Sequence, residues 1–598
     1  MSIIINKPRY VPIVPSLNFP LKNTLIPIKG IGVTTFTRST TSTLTDFEGL
    51  LKTAKAGEIR FEGARRVENI VPSNVLTWGI TASVSITSGV TDKDGGTGAY
   101  TVTRTSGASG YLAFLLQGRG IADGVPTQNS LWIRRRTGTG VVTMYNGSVA
   151  SSTTVITSSL SSTWTRIATP ISTGITASSF IGININVVGD QVDIQWGQSE
   201  AVIGQANKNP SEYVSKGALS APYHGAGVDG VKYFTTQNGN TVASNVVTEA
   251  TGSAISTATV KGARIEAAST NLCIQSEDFN TSWGRGGVGI SAPVVTVNQA
   301  VSRAGTLTAD LVSFSATTAI NQQGHLFLSQ GISTIGTTYT ASIELKTITG
   351  EANIYIGLIE NTGITGAIVR CAVTNEWKSF SVSRTAVSSS TLFLTIGCDT
   401  RTTVGQDVIQ PASSVYVWGA QVEALPMATS YIPTTTATVT RNSDLLTFPN
   451  VGNVSNTQGT VLMDITPAFD IPNGNIGGYG SNYLMDYGTN NGHIYVVFNN
   501  IRRSDGTNLL SSPTWTPLKD TTYKIGSRYG SAGQRNWLNG NAGTNGAFDG
   551  SINSGTNMTI GGYGGNTASN WGGNIKNLKI YKKALADSKI TTNTTITD

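Results

Sequence analysis

The sequence predicts an all-β protein built from tandem two-sheet sandwiches. Only 13% of its residues are charged, against roughly 25% in ordinary soluble domains. Long amphipathic helices need charged or alanine-rich outer faces, and such faces are almost absent. Short segments alternate instead, as in Ser342-Ile343-Glu344-Leu345-Lys346 and Leu392-Phe393-Leu394-Thr395-Ile396, with glycine and asparagine between them. That alternation is the mark of strands with one face buried. The chain also repeats itself. Gly262-Ala263-Arg264, Asn271, Trp283, Trp377 and Trp418-Gly419-Ala420-Gln421-Val422-Glu423 follow one another in the same order as Gly63-Ala64-Arg65, Asn69, Trp78, Trp164 and Trp196-Gly197-Gln198-Ser199-Glu200. Trp164 and Trp196 lie 32 residues apart, Trp377 and Trp418 41. Shared landmarks with unequal loops describe a duplicated domain rather than a solenoid, whose period is shorter.

The elements follow in order. At 598 residues the chain exceeds the roughly 250–300 residues one core supports. Residues 1–30 hold Pro8, Pro12, Pro15, Pro20 and Pro27. Proline cannot donate to a ladder, so this stretch reads as an extended attachment arm. Residues 31–66 read as a linker with short strands and one helical turn near Asp46–Leu51. Residues 67–217 form the first β unit, 218–270 a second glycine-rich linker, and 271–442 the second β unit. Units of this size suit a jelly roll of about eight strands. Residues 443–598 read as a third sandwich, closed by the strand-like Gly573–Tyr581 and a short helix over Ala584–Ile590.

Charge and motif content exclude several functions. A net charge of +7 over 598 residues is a weak field. Arg134-Arg135-Arg136 is the one tight basic run and reads as a strand continuing into a solvated end; a nucleic-acid surface would need several such runs with aromatics between them. Cys273, Cys371 and Cys398 include no Cys-x-x-Cys pair, and with three histidines there is no zinc spacing. They read as buried free thiols made in a reducing cytoplasm. The N-terminus lacks a secretion signal and no apolar run reaches membrane-spanning length, so no membrane insertion is expected. No serine-elbow, phosphate loop or local carboxylate pair argues for catalysis, and the chain is expected not to be an enzyme.

The landmarks of 262–442 resemble a pattern of bacteriophage virion proteins. They are Thr270-Asn271-Leu272, Gln275-Ser276-Glu277-Asp278-Phe279, Trp283, Trp418–Glu423, Ser430-Tyr431-Ile432-Pro433-Thr434 and Thr440-Arg441, with Phe36-Thr37-Arg38 upstream. Over 58–217 the match is degenerate, and no Ser-Glu-Asp-Phe run follows Asn69. Both β units resemble carbohydrate-binding modules at the level of fold. Segment 443–598, with its Asn539-Gly540 hairpin and Gly573–Ile590 closure, resembles a laminin-G or concanavalin-A-like domain. The resemblance implies a virion protein released by lysis, a tail- or head-fibre or receptor-binding component. It would join other virion proteins through residues 1–30, present 443–598 to host glycan, and assemble as a homo-oligomer, with a trimer favoured. A purely structural decoration protein and a glycan depolymerase are the alternatives.

Two candidate sites follow. Arg535, Trp537, Asn539 and Trp571 combine aromatic faces with amide and guanidinium groups, the combination that binds sugars. Burial in a core or trimer interface is an equally good reading of each tryptophan. No cofactor is expected beyond a structural calcium, for which Asp278 and Glu423 are the candidate ligands, because the modules this unit resembles bind calcium where first and last strands meet. A turn cap for Asp278 and a solvated strand position for Glu423 is the favoured alternative.

Overall fold

The computed structural model describes residues 13–596, except 23–24, 26, 47–48, 64–68, 73, 94–95, 108–109, 117–123, 149–152, 173–178, 204–209, 211–246, 249–253, 256–259, 361–365, 401–407, 470–481, 489–491, 498 and 565–568. The landmarks Ala64–Arg66 and Glu212–Val214, the Gly477–Gly480 string and most of the 218–270 linker lie outside the described residues. The fold is all-β and of sandwich type, 54% strand and 3% helix. The chain forms two compact units. One gathers Met1–Thr37, Lys261–Ala268 and Asn442–Asp598; the other holds Arg38–Val260 and Ser269–Arg441.

The second unit contains two sandwiches of one topology. The first runs from strand Gly79–Ala82 to strand Gln191–Ala201, the second from Gly284–Val288 to Ser413–Glu423, each with ten strands among the described residues. In both, the first, fourth, ninth, sixth and seventh strands lie side by side in one sheet. The second, third, tenth, fifth and eighth form the other. Each sheet turns one phase of its alternation inward. Leu112, Ile133, Met144, Ile183 and Ile194 fill the first core; Leu326, Ile343, Ile356, Leu394 and Val417 fill the second. Cys273, Cys371 and Cys398 are free and buried. Burial raises all three thiols, to about 12 for Cys371 and about 11 for Cys398.

The duplication therefore holds at the level of strand order, with one correction to its register. Trp78 and Trp283 each precede the first strand, and Trp164 and Trp377 each precede the eighth. Trp196 and Trp418 share the tenth strand but are not equivalent. A buried asparagine sets the true alignment. The Asn69 side chain donates to Gly197 O and accepts from Ser199 N; the Asn271 side chain donates to Ala420 O and accepts from Val422 N. Gly197 thus matches Ala420, and Trp196 matches Gly419. Both of these have positive φ, 54° and 67°, at a bulge where two residues face one on the fifth strand. The three arginines continue the fifth strand, Thr127–Thr137, as expected. They are ion-paired rather than merely solvated: Arg134 and Arg136 with Asp193, Arg135 with Asp190.

The first unit is a further sandwich drawn from three parts of the chain. One sheet orders Asn541–Gly546, Gly533–Leu538, Tyr523–Gly530, Gly459–Pro467, Gly573–Tyr581 and Gly262–Ile265, and Leu17–Phe19 also pairs with Gly573–Tyr581. The other orders Thr35–Thr37, Leu445–Pro449, Asn557–Ile560, Asn482–Asp486, His493–Val497, Asn500–Ser504 and Leu509–Thr514. The described part of the proline-rich stretch is thus a paired strand and not a free arm. Leu17 and Phe19 are fully buried, and Phe19 packs on Phe448 with ring centroids 5.8 Å apart. Pro15 and Pro20 flank the three residues that pair, where a missing donor costs nothing. The one α-helix among the described residues, Asp587–Thr594, begins three residues later than expected, with Asp587 in its first turn.

Candidate functional site

The side chains of the predicted sugar-binding group of 443–598 are buried or engaged within the fold. Trp537 is fully buried, packed with Leu462, Tyr581, Leu585 and Ile590, so the C-terminal helix covers its ring. Trp571 is also fully buried; its Nε1 donates to Asn574 O, and its ring lies 6.1 Å from Phe469. Neither ring offers a face to a ligand. Arg535 donates to Gly543 O and pairs with Asp587 at 2.7 Å. Asn539, at φ 48°, begins the expected Asn-Gly hairpin and accepts from Lys524 N. These groups serve the fold.

Nor does the structure bring Asp278 and Glu423 together. Asp278 Oδ1 accepts from Asn280 N and Thr281 N, the arrangement of a turn cap. Glu423 is wholly buried rather than solvated, and receives Ser269, Gln421 and Thr429. Burial raises its carboxyl, and those four hydrogen bonds oppose the rise. Among the described residues no group of three His, Cys, Asp or Glu has the placement to hold a metal.

A different surface has the form of a binding site. In the second sandwich, strands Gln323–Ile332, Thr391–Asp399, Ala352–Glu360 and Gly366–Val373 are consecutive in one sheet. Their inward phase, Leu326, Ile354, Ile356, Cys371 and Leu394, belongs to the core. Their outward phase lines a cleft of about 240 Å³, which includes Gln323, His325, Phe327, Tyr355, Ile368, Phe393 and Thr395. Phe327 and Phe393 meet edge to face at 5.9 Å and 77°, and His325 lies 5.6 Å from Phe327.

Glycine shapes this floor. A Cβ on Gly284 would meet the Phe327 ring at 2.3 Å, and one on Gly286 the His325 ring at 2.9 Å. Both rings therefore lie down over the edge strand. A Cβ on Gly397 would strike Gly324 O at 2.1 Å, which keeps the centre of the floor low. Beside it stands Tyr355, 3% exposed, its hydroxyl without a hydrogen-bond partner. A buried orphan hydroxyl is costly unless something reaches it. Glu360 closes one end. Burial would raise its carboxyl, but hydrogen bonds from Ser388, Val387 and Arg384 hold it below the usual range. It is suited to accept hydrogen bonds and not to give up a proton.

The equivalent face of the first sandwich keeps the centre and loses the rim. Tyr145 pairs with Gly182 and Gly182 with Ala113, as Tyr355 pairs with Gly397 and Gly397 with His325. Ala113 and Leu115 therefore stand where the second copy has His325 and Phe327. The sequence carried a signal for the cleft that motif reading passed over. In Gln323-x-His325-x-Phe327 and Phe393-x-Thr395-x-Gly397 the outward phase holds rings and glycine, where a plain solvated face would hold charge.

No protein-family model and no curated protein matches the chain. Among solved structures it is similar to the tandem of two family 22 carbohydrate-binding modules of Paenibacillus barcinonensis Xyn10C, at 12% identity over 62% of this chain and 98% of that one, TM-score 0.21. It is similar also to a family 11 carbohydrate-binding module of Clostridium thermocellum, at 9% identity over 28% of this chain and 98% of that one, TM-score 0.20. The enzymatically active domain of tailspike protein 4 of bacteriophage CBA120 aligns at 9% identity over 25% of this chain and 21% of that one, TM-score 0.20.

Proposed function

We propose that this chain is a glycan-binding structural protein of a bacteriophage virion, a tail- or head-fibre component that holds host-surface glycan without cleaving it. The observation that carries the binding role is the aromatic-floored cleft of the second sandwich. Sugar rings present an apolar face and a rim of hydroxyls. Phe327, Phe393 and Ile368 supply the apolar floor, and Gln323, His325, Tyr355 and Thr395 supply donors and acceptors around it. The virion role rests on the landmarks of 262–442. In this reading the first sandwich is a spacer with a reduced copy of the cleft, and the 443–598 sandwich, concanavalin-A-like in sequence, is the scaffold that carries the rest. Assembly as a trimer would multiply weak sugar contacts through effective concentration.

The test is a panel of neutral oligosaccharides against the whole protein by calorimetry. Binding to at least one is expected, with Phe393→Ala weakening it about tenfold at unchanged melting temperature, the loss of one stacking face at ~1.4 kcal/mol. No binding across the panel, or binding indifferent to both Phe393→Ala and Phe327→Ala, would remove the cleft from the reading.

A further inference from the structure

We propose that the outer face of one sheet of the first unit is a docking surface for a phosphate-bearing cell-surface polymer. The net charge of +7 is not spread along the chain but gathered in that unit. Met1–Thr37, Lys261–Ala268 and Asn442–Asp598 together hold 17 lysines and arginines against 10 aspartates and glutamates, while the other unit holds 24 against 24. The whole surplus thus falls on the smaller part of the molecule.

Strand alternation brings much of this charge to one face. Leu462 and Tyr581 lie on the outer side of the sheet, packed with Leu585 and Ile590 of the C-terminal segment. Asp464 and Lys579, each two residues along the same strand from one of them, share that side. Lys524 and Lys576 flank Asp464 on the neighbouring strands, and Asn18 and then Lys29 continue the row from Lys579. Lys29 is exposed; Lys22, Asp464, Lys524, Lys576 and Lys579 are half-buried. These lysines act on one another. Burial lowers the pKa of both Lys22 and Lys576. Lys579 lowers Lys22 further, and Lys22 and Lys524 lower Lys576, with Asp464 opposing in each case.

The carboxylates around the face do not balance it. Asp520 is paired with Lys261, Glu266 with Arg264, and Asp587 with Arg528 and Arg535. Asp464 is the acid among the lysines, and Asn577 holds one of its oxygens at 2.6 Å. Lys22, Lys29 and Lys579 form no ion pair among the described residues, and Lys524 donates to the Thr595 carbonyl. Even with Lys576 left uncounted, because it is engaged elsewhere, the cations outnumber the acid. Like charges held together on a half-buried face are unfavourable until an anion joins them. The cations here are lysines, point charges whose donors turn freely, which suits tetrahedral phosphate better than planar carboxylate. Trp537 and Tyr581, the aromatic residues of this face, are covered, so they offer nucleic-acid bases no ring to stack on. A phosphodiester polymer with polyol or sugar units between its phosphates is the partner that fits. This surface rests on the reading of the chain as a binder of host-surface polymers but shares no residue with the cleft.

The test is affinity electrophoresis of the whole protein in gels containing poly(glycerol phosphate), neutral dextran or single-stranded DNA. Retardation by poly(glycerol phosphate) is expected, weakening as salt rises, with none by dextran. Lys22→Gln, Lys29→Gln and Lys579→Gln together should weaken it about tenfold and flatten its salt dependence. The melting temperature should not fall, because the change relieves repulsion. Lys582→Gln, Lys583→Gln and Lys589→Gln together remove the same charge from exposed positions outside the group, and should alter binding by less than about twofold. Phe393→Ala should leave retardation by poly(glycerol phosphate) intact while weakening neutral-sugar binding, which separates failure of this surface from failure of the cleft. No retardation by poly(glycerol phosphate), stronger retardation by DNA, or equal losses from the two triple variants overturns the proposal.

Discussion

Single side chains in this protein are explained by what covers them, and cover comes from far away in sequence. Arg535-Asn536-Trp537-Leu538-Asn539-Gly540 reads as a sugar-binding turn because an aromatic sits among amides. The residues that close over Trp537, Leu585 and Ile590, lie some fifty positions downstream, and nothing in the hexapeptide announces them. Glu423 shows the same limit, for a glutamate on a strand reads as solvated until Ser269 and Thr429 are seen to enclose it. Its burial has a pH signature. Unfolded, the carboxyl titrates near the ordinary glutamate value of 4.5; folded, burial raises its pKa. Between those two values the folded state binds more protons, so this group's contribution is fully present below the lower value and is lost as pH rises through the higher one. Glu423→Gln removes that titration. The deficit in melting temperature of the Gln variant relative to the parent is expected to be greatest at acid pH and to shrink towards neutrality. A deficit that grows with pH would mean that the buried carboxylate, rather than the carboxylic acid, is the favoured form.

At the level of elements the sequence was more legible. Strand content followed from alternation, and the repeat of Asn69 and Asn271 located the asparagines that tie the start of each sandwich to its tenth strand. What misled was the most conspicuous residue. Aligning Trp196 on Trp418 seems natural, yet Trp196 stands four residues before Glu200 and Trp418 five before Glu423. One inserted residue reverses which side of a strand a side chain occupies. The hydrogen-bonding asparagine and the bulge keep their register, and tryptophan moves around them. Backbone conformation at the bulge then has a measurable cost. At Gly419, φ is 67°, and an added Cβ would meet nothing closer than 3.6 Å. Gly419→Ala should therefore destabilise by about 1 kcal/mol through conformation alone, since space is free. Denaturant unfolding reads this directly, and a loss of several kcal/mol would point to packing at a site where the geometry leaves room.

For the whole molecule, domain limits were the least legible feature, because compositional boundaries assume that a domain is one stretch of chain. The sandwich assigned to 443–598 recruits Leu17–Phe19, Thr35–Thr37 and Gly262–Ile265, short strands inside segments that read as an arm and two linkers. Strands of three or four residues give almost no periodic signal. Their energetic weight is nevertheless large. Leu17, Phe19, Phe36 and Ile265 are each at most 5% exposed. At about 1.5–3 kcal/mol for each buried side chain, removing them forfeits about 6–12 kcal/mol, as much as the whole stability of an ordinary domain at about 5–15 kcal/mol. It also strips strand Gly573–Tyr581 of its pairing with Leu17–Phe19 and Gly262–Ile265, and a bared strand of this kind recruits other chains. A fragment of 443–598 alone should thus show no cooperative thermal transition and should aggregate. A chain joining 13–37, 261–268 and 442–598 through flexible linkers should melt cooperatively. If the bare fragment melts within a few degrees of the joined chain, the recruited strands are ornament, and the linear boundary read from composition is the physical one after all.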